Sequence, residues 1–177
     1  MKLNNKFESK KLVISSMLVA LAVSLSSFSI PIGASKCFPI QHLINVIAAV
    51  FLGPLYGTGA AFCTSLIRNL LGTGSLLAFP GSMVGAFLAG YLYQHTRKFF
   101  AACIGEVLGT GILGAVLCYP VATMLMGKEA AVFAYVIPFL LSTGCGTAMA
   151  FVLLGVMEQS GIIHVLQNIV RGKENRE

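Results

Sequence analysis

Gln41, His42 and Asn45 are the densest group of side chains able to do chemistry in this sequence. They stand in residues 36–54, K-C-F-P-I-Q-H-L-I-N-V-I-A-A-V-F-L-G-P, where everything else between Pro39 and Gly53 is apolar. Separations of three and four place them on one helical face. An imidazole and two carboxamides each offer a donor and an acceptor, so together they suit hydrogen bonding to a small polar ligand. The competing role is structural: His42 and Asn45 satisfying each other or nearby carbonyls.

Other candidates come singly. Arg68 and Asn69 close the next apolar run, and Phe79, Tyr119 and Tyr135 supply aromatic surface. Arg68 either meets a ligand or extends its head outward to water. Glu106 is the one acid inside an apolar run, either a functional group or a brace between helices.

Catalytic and nucleotide motifs are missing. The sequence holds no G-x-x-x-x-G-K-[ST], no H-E-x-x-H and no G-x-S-x-G. Histidines 42, 95 and 164 are far apart, and the five cysteines (37, 63, 103, 118, 145) form no C-x-x-C pair, so neither a metal site nor a disulfide framework is expected. The cysteines read as small apolar packing residues. A Cys/His enzyme would need Cys37 beside His42.

The elements that must position these groups are membrane helices. The chain is 56% hydrophobic and 10% charged over 177 residues, against about 25% charged for a soluble domain, and its mean hydropathy is +0.86. Residues 12–30, 40–52, 54–71, 76–93, 99–126 and 130–157 read as six spans of an all-α polytopic bundle forming one domain, with short polar tails at 1–11 and 158–177. The second is too short to cross a bilayer comfortably. The first exceeds a signal-peptide core and lacks an A-x-A site, so it reads as retained. Pro138 is expected to kink the sixth.

The net charge of +6 invites a nucleic-acid reading that the positions of the charges oppose. With both termini cytoplasmic, nine Lys and Arg lie inside and three outside, the positive-inside pattern of a cell-membrane protein whose basic flanks meet anionic lipid. This topology gathers Gln41, His42, Asn45, Arg68, Asn69, Phe79, Tyr119 and Tyr135 near the outer surface, under the 31–39 loop. It places Glu106 about a third of the way in from the other side, away from them. Small residues recur every fourth position, at Gly81-Gly85-Ala89, Gly105-Gly109 and Ser16-Ala20-Ser24, where helix backbones approach closely.

The segments F-P-I-Q-H-L-I-N-V (38–46), G-P-L-Y-G (53–57), R-N-L-L-G-T-G-S-L-L-A-F-P-G-S-M-V-G-A (68–86) and G-E-V-L-G-T-G-I-L-G-A (105–115) resemble the ThiW family. Its members are substrate-binding (S) components of energy-coupling factor (ECF) transporters. The resemblance implies a six-helix subunit that captures the thiamine precursor hydroxyethylthiazole. It would work with a transmembrane T subunit and two cytoplasmic ATPases. ATP would then be used by the partners, with no cofactor in this chain. It also implies a docking face of A-x-x-x-A type on the first helix, where the nearest match is Ser16-x-x-x-Ala20-x-x-x-Ser24, with serine in place of alanine at 16 and 24. The rivals are an S component for another thiamine-related heterocycle, a stand-alone carrier, and an intramembrane enzyme that would require Glu106 and His42 to meet.

Overall fold

The computed structural model of the chain describes residues 2–32, 35–127, 129 and 131–171. Parts of the expected 31–39 loop, of the turn before residue 131, and of the C-terminal tail lie outside the described residues.

Among the described residues, seven helices and one hairpin follow in order: α1 (Lys2–Ser24), β1 (Ile30–Ile32), β2 (Ser35–Cys37), α2 (Pro39–Leu52), α3 (Pro54–Leu70), α4 (Ala78–Thr96), α5 (Phe99–Leu125), α6 (Val136–Gln159) and α7 (Ile162–Arg171). The two strands pair antiparallel, Ile30 opposite Cys37. Among the described residues, α5 at 27 and α6 at 24 residues are long and apolar enough to cross a bilayer. Large apolar side chains stand exposed around the outside, among them Met17, Leu55, Phe100 and Val152, while Ser, Thr, Gln, His, Asn, Arg and Glu side chains are buried inside. That inversion suits a lipid surround, where polar groups must be satisfied internally.

The short second helix is central. Proline opens both α2 and α3 at a first-turn position where its missing N–H costs nothing. Gly53 joins them at φ +82°, a left-handed conformation that favours glycine. Gln94 also lies against Gly53 so closely that a Cβ there would sit 2.8 Å from its Nε2. The other six helices all touch α2, and ten of its 14 residues are buried. Its length therefore reflects a place inside the bundle.

The α4–α5 contact is a glycine seam. A Cβ on Gly105 would lie 2.7 Å from Ala89 Cα, on Gly109 2.6 Å from Gly85 Cα, and on Gly114 2.5 Å from Gly81 Cα. On α4 the partners are spaced four and four, but on α5 four and five. A π-helical stretch, Gly109–Gly114, absorbs the extra residue and keeps Gly114 facing Gly81. A second π stretch, Val121–Leu125, follows Pro120, whose ring and missing N–H disturb the preceding ladder.

Several boundaries differ from expectation. The first helix ends at Ser24, and the sixth span begins at Val136. Pro138 is then a first-turn residue and kinks nothing, because first-turn N–H groups have no intrahelical partner anyway. The supposed polar tail contains α7, whose Ile163 and Val170 are buried and whose Gln167 Nε2 donates to the Tyr93 hydroxyl at 2.9 Å. Its heptad-like Ile and Val positions were hidden by the polar residues between them.

Candidate functional site

The first turns of α2 bring Gln41, His42 and Asn45 into the interior, where all three are buried. Gly146 of α6 makes this approach possible: a Cβ there would lie 2.6 Å from His42 Cβ. The three side chains then diverge into two hydrogen-bonded systems.

The first system centres on Glu106, fully buried at 0% exposure. Its Oε1 lies 2.9 Å from His42 Nδ1, 2.9 Å from Asn45 Nδ2 and 3.1 Å from Thr110 Oγ1. Asn45 Nδ2 is also 3.4 Å from the Ser82 carbonyl, which only accepts, so the amide orientation is fixed. Thr110 has one hydroxyl hydrogen to share between Oε1 and the Gly81 carbonyl at 3.0 Å. Glu106 Oε2 is buried without a partner in this structure.

This corrects the expected separation of Glu106 from the α2 cluster. At about 1.5 Å per residue, Glu106 stands ~10 Å along α5 from Phe99, and His42 ~15 Å along α2 from Leu52. The two side chains nevertheless meet, with His42 Nδ1 2.9 Å from Glu106 Oε1. The sequence-based depth assumed that α2 reached the outer surface, as a full span would. Depth counted along α2 does not say which neighbours a helix with ten of 14 residues buried will meet.

The second system runs in one direction. Arg68 Nη1 donates to Gln41 Oε1. That leaves Gln41 Nε2 to donate to Ser65 Oγ at 3.4 Å. Ser82 Oγ gives its hydrogen to the Ala78 carbonyl at 2.7 Å, so Ser65 donates to Ser82 across 3.0 Å. Arg68 is buried rather than extended outward. Its Nη2 donates to the Thr73 carbonyl at 3.1 Å, and its guanidinium lies 4.7 Å over the Phe38 ring.

Gln41, His42 and Arg68 line one wall of a cavity of about 400 Å³, with Tyr135, Phe139 and Phe38 as aromatic surface and Thr110, Ser82 and Ser142 adding hydroxyls. That volume is in the range of small-molecule sites, ~300–1,000 Å³. The hairpin-to-α2 junction closes over it, with Phe38 N donating to Ser142 Oγ at 2.8 Å.

Five expected contacts do not line this cavity. Asn45 and Glu106 lie behind His42. Asn69 braces the following turn through Nδ2 to the Ser65 and Ser75 carbonyls, at 2.8 and 3.0 Å. Phe79 faces Phe62, ring centroids 5.6 Å apart. Tyr119 is also outside the lining; its carbonyl accepts from Thr123 at 3.0 Å. The distance of these last two from the cavity follows from helix rotation, which depth along a span does not give. Sequence reading passed over Phe38, Phe139, Ser82, Thr110 and Ser142. Phe38 and Ser82 sit inside the distinctive F-P-I-Q-H and F-P-G-S segments, the signal that pointed to them.

Ser16, Ala20 and Ser24 are exposed and line a separate groove of about 790 Å³ between α1 and α3.

A family model described as "Thiamine-precursor transporter protein (ThiW)" matches residues 12–160. No curated protein and no solved structure matches the chain significantly.

Proposed function

The chain belongs to the ThiW family of thiamine-precursor transporter proteins, and from that premise we propose that it is the substrate-capturing S component of an ECF-type transporter for hydroxyethylthiazole. The observation that carries the reading is the cavity with its divided lining. A small neutral heteroaromatic alcohol wants an apolar slot, aromatic neighbours and a few polar partners. Tyr135, Phe139 and Phe38 supply the slot, and His42, Gln41 and Arg68 supply the polar wall.

In this reading α1–α6 cross the membrane with both termini cytoplasmic. Lys11, Arg97 and Val170 line one cavity, which supports having both ends on one side. The thiazole enters from outside past Phe38, at the start of α2. The groove bearing Ser16, Ala20 and Ser24 seats the T subunit. Two partner ATPases supply the energy that turns the cavity inward, since this sequence has no nucleotide motif of its own.

The test is uptake of labelled hydroxyethylthiazole by cells expressing this chain with and without its T and ATPase partners. Uptake only with active ATPases supports the reading; uptake without them makes the chain a stand-alone carrier. The 2.9 Å contact between His42 and Glu106 satisfies the geometric condition for an intramembrane enzyme. Recovery of the thiazole chemically unchanged from the purified chain would exclude that reading, and a new product would establish it.

A further inference from the structure

The buried carboxylate has no role as a ligand contact, because it does not line the cavity. Its position points to an indirect one. Glu106 Oε1 already accepts from Asn45, whose amide is oriented independently by the Ser82 carbonyl. A hydrogen must lie on the His42 side of the 2.9 Å contact for that contact to be attractive. Nδ1 is therefore the donor, and the opposite ring nitrogen, Nε2, is left for the cavity that His42 lines. The ring cannot swing away cheaply, since Gly146 packs directly on the His42 Cβ. Nor can the carboxylate: a Cβ on Gly85 would stand 2.7 Å from Oε2, so the α4–α5 seam holds Glu106 from behind.

We propose that Glu106 is a positioning residue that fixes His42 as the Nδ1–H tautomer, so that Nε2 accepts a hydroxyl hydrogen from the ligand and the pocket selects heteroaromatic alcohols. Arg68 has donors and no acceptor, and one of the two lone pairs of Gln41 Oε1 is taken by it, so the Arg68–Gln41 wall meets a ring nitrogen chiefly with donors. His42 supplies the complementary acceptor. A ligand lacking the hydroxyl hydrogen leaves Nε2 buried and unpaired, and sites built this way reject such analogues strongly. The inference deepens the thiazole-capture reading and rests on it only for the ligand.

Two measurements test it. Nitrogen NMR of imidazole-labelled chain, free of ligand, reads the tautomer directly. A protonated Nδ1 with a lone pair on Nε2 is expected, changing to mixed tautomers in Glu106→Gln. A protonated Nε2 overturns the proposal. Calorimetry then compares hydroxyethylthiazole with its O-methyl ether. Wild type is expected to favour the alcohol by on the order of tenfold or more, and Glu106→Gln to lose most of that preference while retaining the weaker ether binding. Equal affinities in wild type, or an unchanged preference in Glu106→Gln, overturn it. If wild type binds neither compound, the thiazole reading fails, and the NMR result still decides the role of Glu106.

Discussion

Gly85→Ala and Gly155→Ala make the same chemical change in two helices and should have opposite effects. In a helix interior, alanine is intrinsically favoured over glycine by ~1 kcal/mol. Gly155 in α6 has no heavy atom within 4 Å of an added Cβ, so Gly155→Ala should stabilise the chain or leave it unchanged. At Gly85 the added Cβ runs into Thr110 Oγ1, and lies 2.7 Å from Glu106 Oε2 and 3.0 Å from its carboxyl carbon. Neither neighbour is a free side-chain end. Thr110 is tied to the Gly81 carbonyl and Glu106 to His42 and Asn45. Overpacking of a tight core typically costs ~1–3 kcal/mol. Shifting Glu106 also weakens buried hydrogen bonds, at roughly 1–3 kcal/mol per group left unpaired. Net destabilisation of ~1–5 kcal/mol is expected after the propensity gain is subtracted. Thermal unfolding of the two variants in detergent, followed by far-ultraviolet circular dichroism, measures the pair. A Gly85→Ala variant as stable as Gly155→Ala would refute the seam and the fixed carboxylate together.

Arg68→Lys keeps the charge but loses the planar fork that reaches both Gln41 and the Thr73 carbonyl; thiazole affinity should fall at least about tenfold by calorimetry. Asn45→Ala removes the donor shared by Glu106 and the Ser82 carbonyl, so the melting temperature should drop, by an amount equivalent to roughly 1–3 kcal/mol. Cys37 is buried, and burial raises its thiol above the ordinary range. Since the thiolate is the reactive form, maleimide labelling of Cys37 in the folded chain should stay slow near neutral pH and accelerate only above the usual thiol range, as followed by mass spectrometry. Gln167→Ala together with Val170→Ser should free α7 from Tyr93 and the foot of α2, seen as faster hydrogen exchange across residues 162–171.

The parts of this fold that sequence reveals are those set by local chemistry. Pro39 and the Gly53-Pro54 pair delimit α2 to within a residue, because proline opens helices and Gly53 takes a left-handed turn that favours glycine. The four-residue spacing of Gly81, Gly85 and Ala89 against Gly105 and Gly109 marks a tight helix contact. What stays hidden depends on three dimensions. The π stretch that brings Gly114 back onto Gly81 has no sequence period of its own. Glu106 looked remote because depth was counted along each helix separately, which leaves out the packing that brings Glu106 to His42. Phe79 and Tyr119 lie at a plausible level but are rotated away from the cavity. Arg68 turns inward because Gln41, Thr73 and Phe38 receive it, and none of these is its sequence neighbour on the helix.

Calorimetry of hydroxyethylthiazole with the purified, detergent-solubilised chain tests the capture reading most directly, with thiamine and hydroxymethylpyrimidine as comparators. Saturable binding of the thiazole, absent for the comparators and abolished by His42→Ala in a variant that still melts cooperatively, is the predicted result. No binding of the thiazole, or binding indifferent to His42→Ala, would contradict the assignment of this cavity as the thiazole site.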